Sequence, residues 1–175
     1  KEDEILKTVV DELRDALREV EERNRTVNEE LRRADKESED RLRKVVRELT
    51  EVMKRVNVDS RKMEEIKKLV KEVRERLKKI LEESNKLTED VNRESREDIE
   101  RLRKLARDVE DELRRRTVPV EELVRRVREV VKRVRDSSRE TVERVKRVVE
   151  RSRRLVERLV RKVEEVVREV EERAR

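Results

Sequence analysis

Residues 55–63 read RVNVDSRKM and residues 114–122 read RRRTVPVEE, and these stretches hold the two breaks in an otherwise continuous helical pattern. In the first stretch, Asp59 can cap the N-terminus of a following helix. In the second, Pro119 fits a first helical turn but not a helix interior. The sequence therefore predicts three helices, at about residues 3–56, 60–116 and 119–174.

The two breaks divide the chain into three nearly equal pieces. A helix of about 55 residues is about 80 Å long, because each residue adds 1.5 Å. Loops of a few residues force successive helices to run antiparallel. The predicted fold is therefore all-α, an antiparallel up-down-up three-helix bundle of long coiled-coil-like helices. We expect residues 1–175 to form a single domain.

The composition supports this fold and excludes others. The chain contains no Gly, Cys, His or aromatic residue and a single Pro, and 57% of its residues are charged. Such a charged chain would be disordered if its apolar residues were scattered, so their periodicity decides the fold. A sheet protein is excluded, because hairpin turns need Gly or Asn-Gly at positive φ.

Inward positions on the first helix recur in alternating steps of three and four, which is typical of a coiled-coil seam. This seam runs through Leu6, Val10, Leu13, Leu17, Val20, Asn24, Val27, Leu31, Ala34, Ser38, Leu42, Val45, Leu49, Val52 and Val56. Flanking apolar residues widen the stripe at Val9, Ala16, Val46 and Met53. The third helix repeats the pattern, and the second has two overlapping phases near its middle. None of the traced seam positions is a carboxylate.

Short neutral polar residues interrupt all three seams at matching heights. In an antiparallel bundle, residue i of the first helix faces roughly residue 116 minus i of the second and roughly i plus 118 of the third. One level then contains Asn24, Asn28, Thr88, Asn92, Ser95, Ser138 and Thr141, and a looser level contains Ser38, Ser84, Asn85 and Ser152. We predict a buried hydrogen-bond network that selects helix register. The alternative is that some of these residues, Asn85 especially, face solvent.

In overall style the chain resembles de novo designed helical bundles with parametric backbones and installed hydrogen-bond networks. The features that carry the resemblance are the equal helices, the loops at 57–60 and 117–120, the Val/Leu/Ile core, the Glu/Lys/Arg surface and the Asn/Ser/Thr layers. They extend over the whole chain. Because the resemblance involves no homologous motif, it transfers no functional residue and implies no natural biochemical function.

The residues needed for most chemistry are missing. Without His, and without a carboxylate in the traced seams, a di-metal site of the bundle type is not expected. The seam Ser residues have no base to activate them, no Gly-rich loop can hold phosphate, and no aromatic side chain can stack on bases. We therefore expect no enzymatic activity, no cofactor, no metal and no specific nucleic-acid partner.

Neither a signal peptide nor a membrane span is expected. The chain starts Lys-Glu-Asp-Glu, and no apolar run approaches the roughly 20 residues that cross a bilayer. These features predict a soluble protein with no membrane partner, cytoplasmic when expressed recombinantly.

Two functions fit these features. The first is a structural scaffold that is monomeric and needs no partner. The alternative is a helix–helix interaction module, either a subunit of a homo- or hetero-oligomer or a groove that accepts a fourth helix. Doubled apolar pairs motivate it, at 45–46, 130–131, 148–149, 155–156, 159–160 and 166–167. If the second residue of every pair were buried within one chain, no such groove would exist.

Overall fold

The structure is a computed structural model and describes residues 2–173. It contains α1 at Glu2–Arg55, α2 at Ser60–Arg115 and α3 at Val120–Arg173, and no strand occurs in this range. The prediction of three long helices is confirmed. At the ends that can be compared, the predicted bounds differ from these by one residue at most, and the predicted end at 174 lies outside the described residues.

The chain divides into two compact units, each built from part of every helix. The first unit comprises the chain up to Glu29 together with Leu87–Val145, and the second comprises Glu30–Lys86 and the chain from Lys146 onward. The first unit therefore contains the first halves of α1 and α3 and the second half of α2, and the second unit contains the other halves. Successive helices run antiparallel within each unit, as the up-down-up prediction requires.

The core of the first unit is aliphatic. Its buried residues are Val9, Leu13, Ala16, Val20, Leu102, Leu105, Val109, Val127, Val131 and Val134. The traced seam of α1 is only partly the buried one in this segment, because Leu13 and Val20 are buried whereas Leu6, Val10 and Leu17 are half-buried. A helix that packs against two neighbours buries the centre of its apolar stripe most deeply. That centre passes through Val9 and Ala16, which are each 1% exposed.

The core of the second unit is also aliphatic. Its buried residues are Leu42, Val45, Leu49, Val52, Ile66, Leu69, Val73, Ile80, Val156, Leu159, Val163, Val166 and Val170. Here the traced seam of α1 is the buried one, from Leu42 to Val52. Burial of this apolar surface is the dominant stabilising contribution to the unit.

The loop between α1 and α2 ends in the N-cap that the sequence predicts. The backbone N–H of Lys62 donates to Asp59 Oδ1 at 2.8 Å, and the N–H of Met63 donates to the Asp59 carbonyl at 2.9 Å. These bonds satisfy donors that the first turn of a helix leaves without partners.

The loop between α2 and α3 contains a left-handed residue. Arg116 has φ 53°, and its N–H donates to the Glu112 carbonyl at 2.8 Å. This conformation ends many helices and is usually taken by Gly, because a Cβ costs about 1–2 kcal/mol there. Pro119 immediately precedes α3, and its carbonyl accepts from the N–H groups of Glu122 and Leu123 at 3.1 and 3.3 Å.

Candidate functional site: polar side chains between the helices

In the first unit, α1 and α2 are joined by two direct side-chain hydrogen bonds. Asn28 Nδ2 donates to Asn92 Oδ1 at 2.8 Å, and Ser95 Oγ donates to Asn24 Oδ1 at 3.0 Å. Asn28 Nδ2 also donates to the Asn24 backbone carbonyl at 2.7 Å, so both of its protons are used. Ser95 is 2% exposed, and the three Asn residues are half-buried.

These bonds have a different register from the sequence estimate. The estimate placed Asn24 and Asn28 level with Thr88, Asn92 and Ser95 as a group, through the rough relation that residue i of α1 faces residue 116 minus i of α2. In the structure Asn28 bonds to Asn92 and Asn24 bonds to Ser95, about one helical turn farther along α2. Counting from loop positions alone does not fix how α2 is displaced along its axis, whereas paired side chains do.

In this unit α3 contributes the polar side chain of Thr141, which is hydrogen-bonded to a carboxylate of α2. Thr141 is 4% exposed, and its Oγ1 lies 3.1 Å from Glu94 Oε2 and 3.1 Å from the Ser137 carbonyl. Because a hydroxyl has one proton, these two acceptors share it. One terminal nitrogen of Arg144 donates to both Glu94 carboxylate oxygens at 2.9 and 2.8 Å. Thr141 therefore joins an ionic group and makes no bond to the Asn residues.

A buried carboxylate lies close to this group. Asp98 is 4% exposed, and its Oδ1 lies 3.5 Å from a terminal nitrogen of Arg101. Burial raises the pKa of Asp98, and attraction from Arg101 and Arg23 opposes this rise. Burial likewise lowers the pKa of Arg23, against the attraction of Asp98 and Glu94. The Nε of Arg23 is buried without a hydrogen-bond partner.

The second unit has a smaller polar contact between α1 and α2. Ser84 is 3% exposed and donates to Asp35 Oδ2 at 2.8 Å. Burial raises the pKa of Asp35, and the Ser84 hydrogen bond opposes that rise. Ser38 is buried and Ser152 is half-buried, and neither side chain makes a hydrogen bond in the described part of the chain.

The other predicted polar residues are not part of these contacts between helices. Ser138 donates to the Val134 carbonyl of its own helix at 2.7 Å, and Thr88 is half-buried. Asn85 is exposed, as the alternative interpretation expected. The structure therefore brings four of the predicted residues into direct contact: Asn24, Asn28, Asn92 and Ser95.

Sequence reasoning missed the charged members of the site. The traced seams contain no carboxylate and did not include Asp98, which is buried. A signal was present: Val91, Ser95, Asp98 and Leu102 follow steps of four, three and four, the seam spacing of one helix face. In a chain in which 57% of the residues are charged, that spacing alone does not distinguish a buried carboxylate from a surface one.

Ion pairs connect α3 to both other helices. Toward α2 the pairs are Glu169–Lys62, Lys162–Glu72, Arg151–Glu83, Arg144–Glu94 and Arg126–Glu112. Toward α1 they are Arg128–Glu12, Arg135–Glu19 and Arg153–Glu37. Between α1 and α2, by contrast, no ion pair occurs anywhere in residues 2–173. Those two helices interact through apolar and hydrogen-bonding side chains, and through the attraction of Arg23 on α1 for Asp98 and Glu94 on α2.

The site as a whole consists of hydrogen bonds and ion pairs between helices, and it leaves Arg23 Nε, Glu112 Oε2 and Arg144 Nε buried without a hydrogen-bond partner. Among residues 2–173, no group of three or more Asp and Glu is placed to hold a metal ion. Nor, in that same range, does any helix carry an apolar stretch long enough to cross a bilayer. The chain matches no family model, no curated protein and no solved structure.

Proposed function

We propose that this chain is a de novo designed structural scaffold in which buried polar side chains select one arrangement of the helices. The observation that carries the proposal is the pair of direct contacts Asn28–Asn92 and Ser95–Asn24 between α1 and α2. The equal helices, minimal loops and absence of Gly and aromatic residues support the designed origin.

The physical argument concerns competing packings. Aliphatic seams repeat every seven residues, so many displaced or rearranged packings bury similar apolar area. Any of these would separate Asn28 from Asn92 and Ser95 from Asn24. A buried polar group left without a partner costs about 1–3 kcal/mol, a penalty that applies fully to Ser95 and partly to the half-buried Asn24, Asn28 and Asn92. The polar pairs therefore penalise the alternative packings.

The test is Asn92→Leu, with Asn85→Leu as the matched control on an exposed site of the same helix. We expect Asn92→Leu to keep or raise the melting temperature but to give several sets of amide cross-peaks or a mixture of oligomers. The control should keep one set of cross-peaks and a monomer of 21.4 kDa. A single ordered monomer for Asn92→Leu would contradict the proposal.

A second function, helix–helix interaction, is favoured by the doubled apolar pairs. In each pair one residue is buried and the other is only half-buried. The half-buried Val46, Leu155, Val160 and Val167 pack at the margin of the second unit's core. Since these residues keep part of their apolar surface in solvent, they leave grooves that another helix can cover.

A further inference from the structure

The groove between α1 and α2 in the second unit has an apolar floor. It extends from Glu39 to Lys54 on α1 and from Ile66 to Leu81 on α2, and we refer to it as the α1–α2 groove. Two open stretches, with volumes of about 570 and 660 Å³, share Arg74. Half-buried apolar side chains line them: Val46, Met53, Val70, Leu77 and Leu81.

The rim of the α1–α2 groove is almost entirely basic. Its basic residues, three on α1 and four on α2, are Arg43, Arg47, Lys54, Lys67, Lys71, Arg74 and Lys78. Glu39 is the one acidic residue that lines either stretch. Of the basic residues, Lys67 has an acidic neighbour in its own helix, Glu64, at 4.0 Å.

This charge distribution differs from that of the other helix–helix boundaries. The rim residues of α1 and of α2 have the same sign, so they repel each other across the groove. Grooves beside α3 have both signs on their rims, such as Glu121, Arg125, Arg128, Glu129 and Lys132 in the first unit. The α1–α2 groove therefore has basic residues on both sides and an open apolar floor, and no described part of the chain supplies the acidic and apolar surface that would complement it.

We propose that the α1–α2 groove is a docking site for an acidic amphipathic α-helix from another chain. Aliphatic side chains of that helix, at heptad spacing, would cover Val46, Leu77 and Leu81. Glu or Asp on both of its flanks would face the basic rims of α1 and α2. This proposal rests on the second proposed function, helix–helix interaction, and is independent of the Asn and Ser contacts.

The dimensions and charges favour a helix over other occupants. From Glu39 to Lys54 the groove is about 22 Å long at 1.5 Å per helical residue, which matches four turns of a helix. A second copy of this chain, joined symmetrically through the same groove, would place basic rim against basic rim.

The test uses fluorescein-labelled peptides of about 28 residues, or four heptads, with Ile at position a, Leu at d and Ala or Gln at b, c and f. Three peptides differ only at positions e and g, which are Glu, Gln or Lys. Fluorescence anisotropy against the full-length protein measures the Kd of each. We expect the Glu peptide to bind about tenfold or more tightly than the Gln peptide, and the Lys peptide least tightly.

The groove itself is tested by charge reversal on its rim. The variant Arg43→Glu/Arg74→Glu/Lys78→Glu changes exposed side chains only, and should weaken binding of the Glu peptide about tenfold or more. The matched control Arg103→Glu/Lys104→Glu/Arg107→Glu makes the same change of net charge at exposed sites of the first unit. It should leave the Kd within about twofold. Circular dichroism confirms that both variants remain helical.

The outcomes separate the charge preference from helix binding itself. If no peptide binds, helix–helix interaction at this groove is overturned. If the three peptides bind equally, the groove binds helices but the acidic preference is wrong. If both triple variants weaken binding alike, net charge explains binding and the assignment to the α1–α2 groove is wrong. The same conclusion follows if double-stranded DNA binds as tightly as the Glu peptide. If the wild-type protein dimerises as its concentration rises and the rim variant does not, the occupant of the groove is a second copy of this chain, and the proposed acidic helix is wrong.

Discussion

The contacts of α2 with its two neighbours differ in kind. With α1, α2 shares neutral hydrogen bonds such as Asn28–Asn92, the Ser84–Asp35 contact and the apolar groove. With α3, it shares a series of ion pairs that includes Arg144–Glu94 and Lys162–Glu72. With α1, α2 therefore makes short hydrogen bonds of defined direction, whereas with α3 it makes mainly ion pairs.

This difference separates two ways of choosing a partner. Hydrogen bonds between short amides and hydroxyls require one geometry and depend little on salt. Ion pairs between long, half-exposed side chains act over a longer range, tolerate several geometries and are screened by salt. We therefore expect the α1–α2 contact to favour one register and the α2–α3 contact to favour one pairing of helices.

The largest effect should come from the aliphatic core on which both contacts depend. Leu49 is 0% exposed in the second unit. Leu49→Ala should lower the free energy of unfolding by about 2–5 kcal/mol, through lost burial and the cavity left behind. Urea unfolding followed by circular dichroism measures it. A loss smaller than that of the polar variants below would mean that polar contacts dominate the fold.

A smaller effect should follow from removing one amide of the α1–α2 contact. Asn28→Ala takes a partner from both Asn92 and the Asn24 carbonyl, and should cost about 1–2 kcal/mol in the free energy of unfolding. The loss should be the same at low and high salt. The exposed Asn85→Ala is the matched control and should change the free energy by less than about 0.5 kcal/mol. A strongly salt-dependent loss would contradict the distinction between the two contacts.

The corresponding change at the α2–α3 contact is Glu94→Gln. It removes the charge that receives two bonds from Arg144, and should cost about 1 kcal/mol at low salt and less at high salt. Glu89→Gln, at an exposed position of the same helix, controls for the change of net charge. Equal losses at both salt concentrations would show that geometry, and not charge, holds α3 to Glu94.

Two carboxylates, Asp98 beside Arg101 and Arg23 and Glu169 beside Lys62, should make pH-dependent contributions of opposite sign to stability. The pKa of Asp98 is raised from 3.8, so its folded form carries a penalty near neutral pH that is relieved as the pH falls toward 3.8. The pKa of Glu169 is lowered from 4.5 by Lys62, so its contribution is present above pH 4.5 and is lost at lower pH.

Among the predicted effects, these pKa shifts should give the smallest differences in the midpoint of unfolding. Two variants separate the contribution of Asp98 from that of Glu169. Asp98→Asn should remove the relative gain in the free energy of unfolding at acidic pH. Glu169→Gln should remove the corresponding loss. Urea titrations from neutral pH to about pH 3.5 measure both. Identical pH profiles for the wild type and the two variants would show that neither carboxylate is linked to folding.

The helices and their order could be predicted from the sequence because the decisive signals are local. Asp59 and Pro119 mark helix starts by their own chemistry, and aliphatic spacing marks the buried face. The displacement of α2 along α1 could not, since it depends on how side chains interdigitate across the boundary. Whether Asp98 is buried depends on the surroundings that Arg23 and Arg101 supply, which no single helix shows. The left-handed Arg116 was equally hidden, because the chain has no Gly to mark that turn.

The floor of the α1–α2 groove also offers an optical reporter. The chain contains no Trp, Tyr or Phe, so it has no intrinsic fluorescence from aromatic side chains. A single Trp in place of Leu77, which is half-buried on that floor, would be the only fluorophore in the molecule. A helix that covers the groove would remove water from this indole and shift its emission to shorter wavelength. Occupancy could then be followed with an unlabelled partner.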